Sequence, residues 1–258
     1  MAGKSVEQFQ RMKQSGEKIA VLTAYDYPTA KFVAEAGVDM ILVGDSLGMV
    51  VLGFKTTRDV TMEIMLTHVA AARRGAPNTH LIADMPYQSF DTPANAVRNA
   101  QRFAEIGADA VKIEGRVIDE VRAIRDAGIE VMGHVGVLPQ TTDSKLKGRN
   151  TYEAQRILDD AVALQEAGCY SVVLENLTTS LARKITDTLS IPTIGIGAGP
   201  YTDGQVLVIH DVLGMFESFL PPFAKRFAEL APAARAGCAA YVADVRAGRF
   251  PDAVHSRE

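Results

Sequence analysis

Chemically capable side chains recur at one place in this chain, the end of a short apolar run. Met40 to Val43 is followed by Gly44-Asp45-Ser46, Leu81 to Ala83 by Asp84, Ala110-Val111 by Lys112-Ile113-Glu114, Val131-Met132-Gly133 by His134, and Ser171 to Leu174 by Glu175. Asp45, Asp84 and Glu114 offer only oxygen, and His134 has no second histidine at metal-binding spacing. That donor set selects a hard cation such as Mg2+ over zinc and leaves positions for water or a chelating substrate. Each carboxylate taken singly could be the cap of the following helix, but three at matching positions argue for a site. Lys112 and Glu114 stand two residues apart on one strand and so point the same way. Buried, they need partners: either a metal with a substrate anion or a structural ion pair. His134 lies in Gly133-His134-Val135-Gly136, where glycines let the backbone approach a ligand; the other reading is a satisfied core histidine. At Glu175 burial would raise the pKa towards that of a useful general base. The alternative there is a salt bridge to a rim lysine or arginine.

The elements that must carry these residues follow from what precedes each run. Glu35-Ala36-Gly37, Glu105-Ile106-Gly107, Asp126-Ala127-Gly128 and Glu166-Ala167-Gly168 each read as the end of a helix, glycine being its usual left-handed terminator. From glycine to polar residue takes six to eight positions, about one strand and its lead-in. Thr61 caps an apolar stripe of Met62, Met65, Leu66 and Val69, and Thr92-Pro93 opens another with Ala96, Val97, Ala100, Phe103 and Ala104. Strands are expected near 19–25, 40–45, 80–84, 110–114, 130–134, 171–175 and 192–196, with a weaker eighth near 217–220. Their nearly unbroken apolar character suits parallel strands covered on both sides. Eight alternating units predict an α/β fold, a (β/α)8 TIM barrel with extra N-terminal and C-terminal helices, whose catalytic residues gather at the carboxyl ends of the strands. An open doubly wound sheet is the structural alternative.

At 258 residues and 47% hydrophobic, the chain suits a single domain over 1–258 with a large core. A net charge of -4 without a basic cluster excludes a nucleic-acid partner. No stretch has transmembrane length, so no membrane partner is expected. Cys169 and Cys238 are too far apart in sequence to read as a disulfide framework, which favours a reducing, cytoplasmic setting. Residues 5–14 read as a short helix closing the barrel floor. Residues 223–247 read as helical, and their Phe227, Leu230, Ala234, Tyr241, Val242 and Val245 serve either packing on the barrel or an oligomer interface. Gly195-Ile196-Gly197-Ala198-Gly199 resembles a barrel phosphate corner or a simple tight turn. No lysine follows at P-loop spacing, which excludes a P-loop nucleotide site.

Together, Thr23-Ala24-Tyr25-Asp26-Tyr27, Val43-Gly44-Asp45-Ser46-Leu47-Gly48-Met49, Arg73-Arg74-Gly75-Ala76-Pro77, Val111-Lys112-Ile113-Glu114-Gly115, Gly133-His134-Val135-Gly136 and Gly195 to Gly199 with Thr202-Asp203-Gly204-Gln205 resemble the ketopantoate hydroxymethyltransferase family over about residues 4–255. The resemblance implies Mg2+-dependent transfer from 5,10-methylenetetrahydrofolate to 3-methyl-2-oxobutanoate, giving 2-dehydropantoate, in the cytoplasm. It places the metal at Asp45 and Asp84 with Glu114 completing the surroundings. The keto acid falls to Asp45, Ser46, Asp84 and Lys112, and the catalytic set is Glu175, as proton acceptor, with Lys112 and His134. It also implies a homodecamer, a pentamer of dimers. No motif encodes pterin binding, so the folate co-substrate rests on the resemblance alone.

Two features depart from the family pattern. Residues 141–149 form a shorter stretch than the family's glycine-rich loop, and Asn176-Leu177-Thr178 stands where a Val-Pro pair is common. A lyase or mutase of the phosphoenolpyruvate mutase and isocitrate lyase group would share the barrel, Mg2+ and enolate chemistry, but it generally carries a lid cysteine that is not found here. A non-catalytic barrel scaffold is the remaining alternative.

Overall fold

The structure is a computed structural model describing residues 3–142 and 145–257. Eight parallel strands close a barrel in sequence order: β1 (Ile19–Thr23), β2 (Met40–Val43), β3 (His80–Asp84), β4 (Ala110–Lys112), β5 (Glu130–Gly136), β6 (Ser171–Glu175), β7 (Thr193–Ile196) and β8 (Gly204–Leu207). Around them run α1 (Val6–Ser15), α2 (Tyr27–Glu35), the single turn α3 (Leu47–Val50), α4 (Met62–Gly75), α5 (Pro93–Glu105), α6 (Ile118–Asp126), α7 (Thr151–Glu166) and α8 (Thr179–Thr188). The sequence signals behind two of these helices operate as expected. Thr61 Oγ1 accepts from the Ile64 amide, and Thr92 Oγ1 accepts from the Asn95 amide ahead of Pro93, each satisfying an orphan helix donor. Gly37, Gly107, Gly128 and Gly168 all take positive φ at the helix ends.

The eighth strand is a correction. It lies at 204–207, not 217–220, and β7 reaches it through residues 197–203 without an intervening helix. Gly204-Gln205-Val206-Leu207 has too few apolar residues to stand out in the sequence, and only Gly204 and Val206 of its four residues are buried. Glycine is required at its start, because a Cβ on Gly204 would lie 2.5 Å from the Ile19 carbonyl oxygen of β1. Likewise β4 ends at Lys112, so Glu114 stands just beyond its strand instead of on it.

The barrel's lower interior is apolar. Ile19, Val21, Met40, Leu42, Ile82, Ala110, Met132, Val173, Ile194 and Val206 form one cluster with Phe9 and Met12 of α1. The N-terminal helix therefore closes the floor as expected. Lys13 fastens it, donating to Asp203 Oδ2 at 2.8 Å and to the Thr186 carbonyl at 3.0 Å.

The chain divides into two compact units, Met1–Val208 and Ile209–Glu258, and the barrel is complete within the first. The second holds α9 (Ile209–Val212) and α10 (Leu230–Arg246). The helix expected from 223 begins only at Leu230, so Phe227 precedes it; Pro232 fits only in a first turn, where its missing N–H costs nothing. No residue of α10 is buried, and Phe227, Tyr241, Val242 and Val245 are exposed. Cys169 is buried, Cys238 is exposed, and both are free. Among the described residues no helix is long and apolar enough to cross a membrane.

Candidate active site

The strand-end residues do converge. Asp84 and Lys112 are register partners across β3 and β4, and Lys112 Nζ lies 2.6 Å from Asp84 Oδ1. From Lys112 the contacts continue to Glu114 at 3.8 Å and to His134 Nδ1 at 3.4 Å. His134 Nδ1 lies 3.5 Å from Glu114 Oε1, and its Nε2 lies 3.3 Å from Glu175 Oε2. Asp45 joins through its backbone N–H, which donates to Asp84 Oδ2 at 3.2 Å. Five of the six are buried; Glu175, with 19% of its side chain exposed, is the open end of the chain of contacts.

The helix-cap reading fails for Asp45. Ser46, not Asp45, precedes α3, and Asp45 Oδ2 is engaged by Gln140 Nε2 at 2.9 Å. Ser46 Oγ instead lies 2.9 Å from the hydroxyl of Tyr25. Glu175 pairs with the histidine, where a rim lysine or arginine was the alternative partner. Two other expectations change. Gly133 faces α7, where a Cβ would meet Leu164 at 3.0 Å, and a Cβ on Gly136 would lie 2.2 Å from the Glu175 carbonyl oxygen. These glycines serve the packing of β5, not the approach of a ligand. Near the end of β7 a Cβ on Gly195 would meet Thr202 Oγ1, and in the loop after it one on Gly199 would meet Thr179 Oγ1, both at 2.6 Å, while Gln205 donates to the Gly199 carbonyl. That loop is a close-packed turn.

Electrostatics single out Asp45. Burial drives its pKa well above the ordinary carboxylate value, and the charges of Asp84 and Glu114 add to the rise more than Lys112 and Gln140 offset it. Burial also raises Asp84, against the pull of Lys112. Glu114 is lowered: burial opposes this, but His134 and Lys112 outweigh it. For Lys112, burial works against the charge, yet Asp84, Glu114 and Asp45 hold the pKa above the usual lysine value. His134 is likewise opposed by burial and by Lys112, and its contacts to Glu114 and Glu175 still hold it up at about 9. The cluster thus has a local deficit of positive charge at Asp45.

Three contributors were not assigned from sequence. Tyr25 sits just past β1 and obeys the strand-end rule, so that signal was present. Gln140 and Arg58 carried none, since their roles come from contacts across the fold: Arg58 Nε donates to the Gln140 carbonyl at 2.7 Å. Of the stretch 141–149, residues 143 and 144 lie outside the described residues. Lys147 within it pairs with the segment just past β6, its N–H donating to the Asn176 carbonyl and its carbonyl accepting from Thr178 N–H. A cleft of about 620 Å3 opens at the opposite end of the barrel. Of its charged residues Lys4 pairs with Asp39 and Lys31 with Glu35, while Arg74 stands beside them, and among the described residues no comparable chain of contacts lines it.

In solved structures the same fold recurs at low identity. A phosphoenolpyruvate phosphomutase from Streptomyces platensis subsp. rosaceus superposes with a TM-score of 0.67 at 14% identity, covering 95% of this chain and 89% of that one. A 2,3-dimethylmalate lyase of the phosphoenolpyruvate mutase and isocitrate lyase superfamily gives 0.63 at 20% identity, covering 97% and 91%. These share the fold alone. Sequence similarity is far closer to proteins named 3-methyl-2-oxobutanoate hydroxymethyltransferase. One from Thermus thermophilus is 51% identical over 98% of this chain and 99% of its own length, and one from Heliobacterium modesticaldum is 49% identical over 98% and 94%. The model of the ketopantoate hydroxymethyltransferase family matches residues 4–253. With that match over nearly its whole length, the chain belongs to the ketopantoate hydroxymethyltransferase family.

Proposed function

We propose that this enzyme transfers a hydroxymethyl group from 5,10-methylenetetrahydrofolate to 3-methyl-2-oxobutanoate, giving 2-dehydropantoate, with Mg2+ at Asp45 and Asp84 and Glu114 beside it. The observation that carries this reading is the unbroken chain of contacts from Asp45 through Asp84, Lys112, Glu114 and His134 to Glu175. The donor set fits the cation: its carboxylates offer only oxygen, and Lys112 does not offset the burial and the neighbouring carboxylates that disfavour charge on Asp45. Among the described residues no three such side chains close into a ready cage. Mg2+ keeps several waters and uses one or two carboxylates together with its substrate.

Mg2+, when bound, would act as a Lewis acid towards the oxygens of the 2-oxo acid. Lys112, positively charged and buried, sits where it can stabilise charge developing on the substrate's carbonyl oxygen. Ser46, held by Tyr25, offers a hydroxyl to the keto acid. Glu175 accepts the C3 proton; the C–H electron pair forms the C2–C3 double bond as the carbonyl π pair moves onto oxygen, and C3 of this enolate then bonds to the donor's methylene carbon while its bonds to the folate nitrogens break, a water supplying the hydroxyl oxygen and tetrahydrofolate leaving. His134 touches Glu175 and holds the general base in place. The part-exposed position of Glu175 supports its facing a mobile substrate. No residue here is assigned to the folate.

The test is Mg2+-dependent exchange of the C3 proton of 3-methyl-2-oxobutanoate in deuterated water, then product formation with the folate donor. Absence of exchange with every divalent cation tried would sink the reading. Asp84→Asn is expected to weaken Mg2+ and keto-acid binding together, and unchanged Mg2+ affinity by calorimetry would move the ion elsewhere. Lys112→Met is expected to weaken the keto acid more than the metal. Equal loss of both would make Lys112 a structural tie within the carboxylate cluster.

We also infer a cytoplasmic homodecamer, a pentamer of dimers. Phe227, Tyr241, Val242 and Val245, exposed in the second unit, support its burial against other copies. Light scattering that returns a monomer at micromolar concentration would refute this.

A further inference from the structure

Gln140 enters the site from the loop after β5 and is fully buried. Its backbone is held on both sides: the N–H donates to Glu114 Oε2 at 3.2 Å, and the carbonyl accepts from Arg58 Nε at 2.7 Å. Its side-chain Nε2 donates to Asp45 Oδ2 at 2.9 Å and to the Met85 carbonyl at 3.0 Å. Both neighbours of Nε2 are acceptors, so the amide can face only this way. Its two hydrogens are consumed. Oε1 is left buried, with no hydrogen-bond partner among the described residues.

A buried carbonyl oxygen without a donor is costly, and native proteins rarely leave one unless a ligand or water supplies it. This one belongs to the residue that grips Asp45. We propose that Gln140 is a positioning residue for the divalent cation. Through Nε2 it fixes Asp45 Oδ2, so that Asp45 presents its other oxygen to the cation. Through Oε1 it accepts a hydrogen bond from a water of the cation's hydration shell. Outer partners of this kind orient ligating carboxylates and set metal affinity. The inference rests on the Mg2+ reading above and deepens it. It also assigns a task to the β5 loop, which completes the cation's surroundings where the strands themselves provide no cage.

The experiment measures Mn2+ binding to the full-length protein by electron paramagnetic resonance, without substrates, in wild type, Gln140→Met and Gln140→Asn. Methionine keeps the length and removes the amide; asparagine keeps the amide and withdraws it from Asp45. Melting temperatures establish that each variant is folded. Both variants are expected to bind Mn2+ about 10- to 100-fold more weakly. At saturating Mn2+ the line shape is expected to differ from wild type, while keto-acid affinity, measured separately by calorimetry at saturating Mn2+, stays within about twofold to threefold. Mn2+ affinity equal to wild type in either folded variant overturns the proposal. So does a loss of metal and keto-acid affinity in proportion with an unchanged line shape, which would mark Gln140 as loop packing only. If wild type binds no Mn2+, it is the metal reading that fails, and the proposal falls with it.

Discussion

At the lower end of the barrel the inward positions of four strands hold Ile82, Ala110, Met132 and Val173. Two residues further along the same strands they hold Asp84, Lys112, His134 and Glu175. Strand alternation puts each pair on one face, so the two ends differ in chemistry and not in geometry. The lower layer removes apolar surface from water and is sealed by Phe9 and Met12. The upper layer buries charge, which costs free energy that only partners can offset. Stability and chemistry are thus separated by about one pleat of strand.

The sharpest break in this division is expected at Glu175. Glu175→Gln keeps the shape but cannot take the C3 proton, so deuterium exchange and product formation are expected to fall together by roughly a hundredfold to ten-thousandfold, with the melting temperature unchanged. Persistent exchange with lost transfer would pass the base role to another group, His134 first. At the other end, Phe9→Ala is expected to cost about 3–5 kcal/mol of stability in urea unfolding, with the exchange rate per folded molecule unaltered. A rate that drops with it would show that the floor and the rim are not separable.

His134 gives a smaller effect with a definite sign. Its folded pKa of about 9 lies above the ordinary histidine value, so its contribution is full below about pH 6.5 and is lost as pH rises through 9. Stability is expected to decline over that window by at most about 3 kcal/mol. In His134→Gln the decline is expected to vanish; a variant that keeps it would point to another titrating group. The smallest effect is expected at Lys13, a polar fastening on the apolar end. Lys13→Met removes the bond to Asp203 and is expected to cost about 1 kcal/mol, with turnover intact.

Much of this was legible because one signal repeats. Helix-ending glycine, apolar strand and polar tip recur with a spacing of six to eight residues, and that alone places Asp45, Glu114, His134 and Glu175 on one rim. The same rule reaches Tyr25, whose hydroxyl lies within hydrogen-bond distance of Ser46 Oγ. It misses β8, because four residues opening with glycine and only half buried carry little periodicity. It also misses Gln140, whose partner Asp45 is 95 positions away. A contact of that span leaves no local pattern. The glycines beside His134 were visible but misleading, since a sequence shows where a side chain is absent and not what fills the space.

The late place of β8 in the chain matters before the protein is finished. β1 pairs on one side with β2, close behind it, and on the other with β8, Ile19 against Gly204. Emerging from a ribosome at about 5–20 residues per second, the chain leaves that second edge of β1 open for roughly 10 to 40 s. An unpaired strand edge is a template for pairing with the wrong chain. Synthesis of this enzyme therefore contains a built-in interval of exposure, and slow translation or crowding by sister chains is expected to lower its yield.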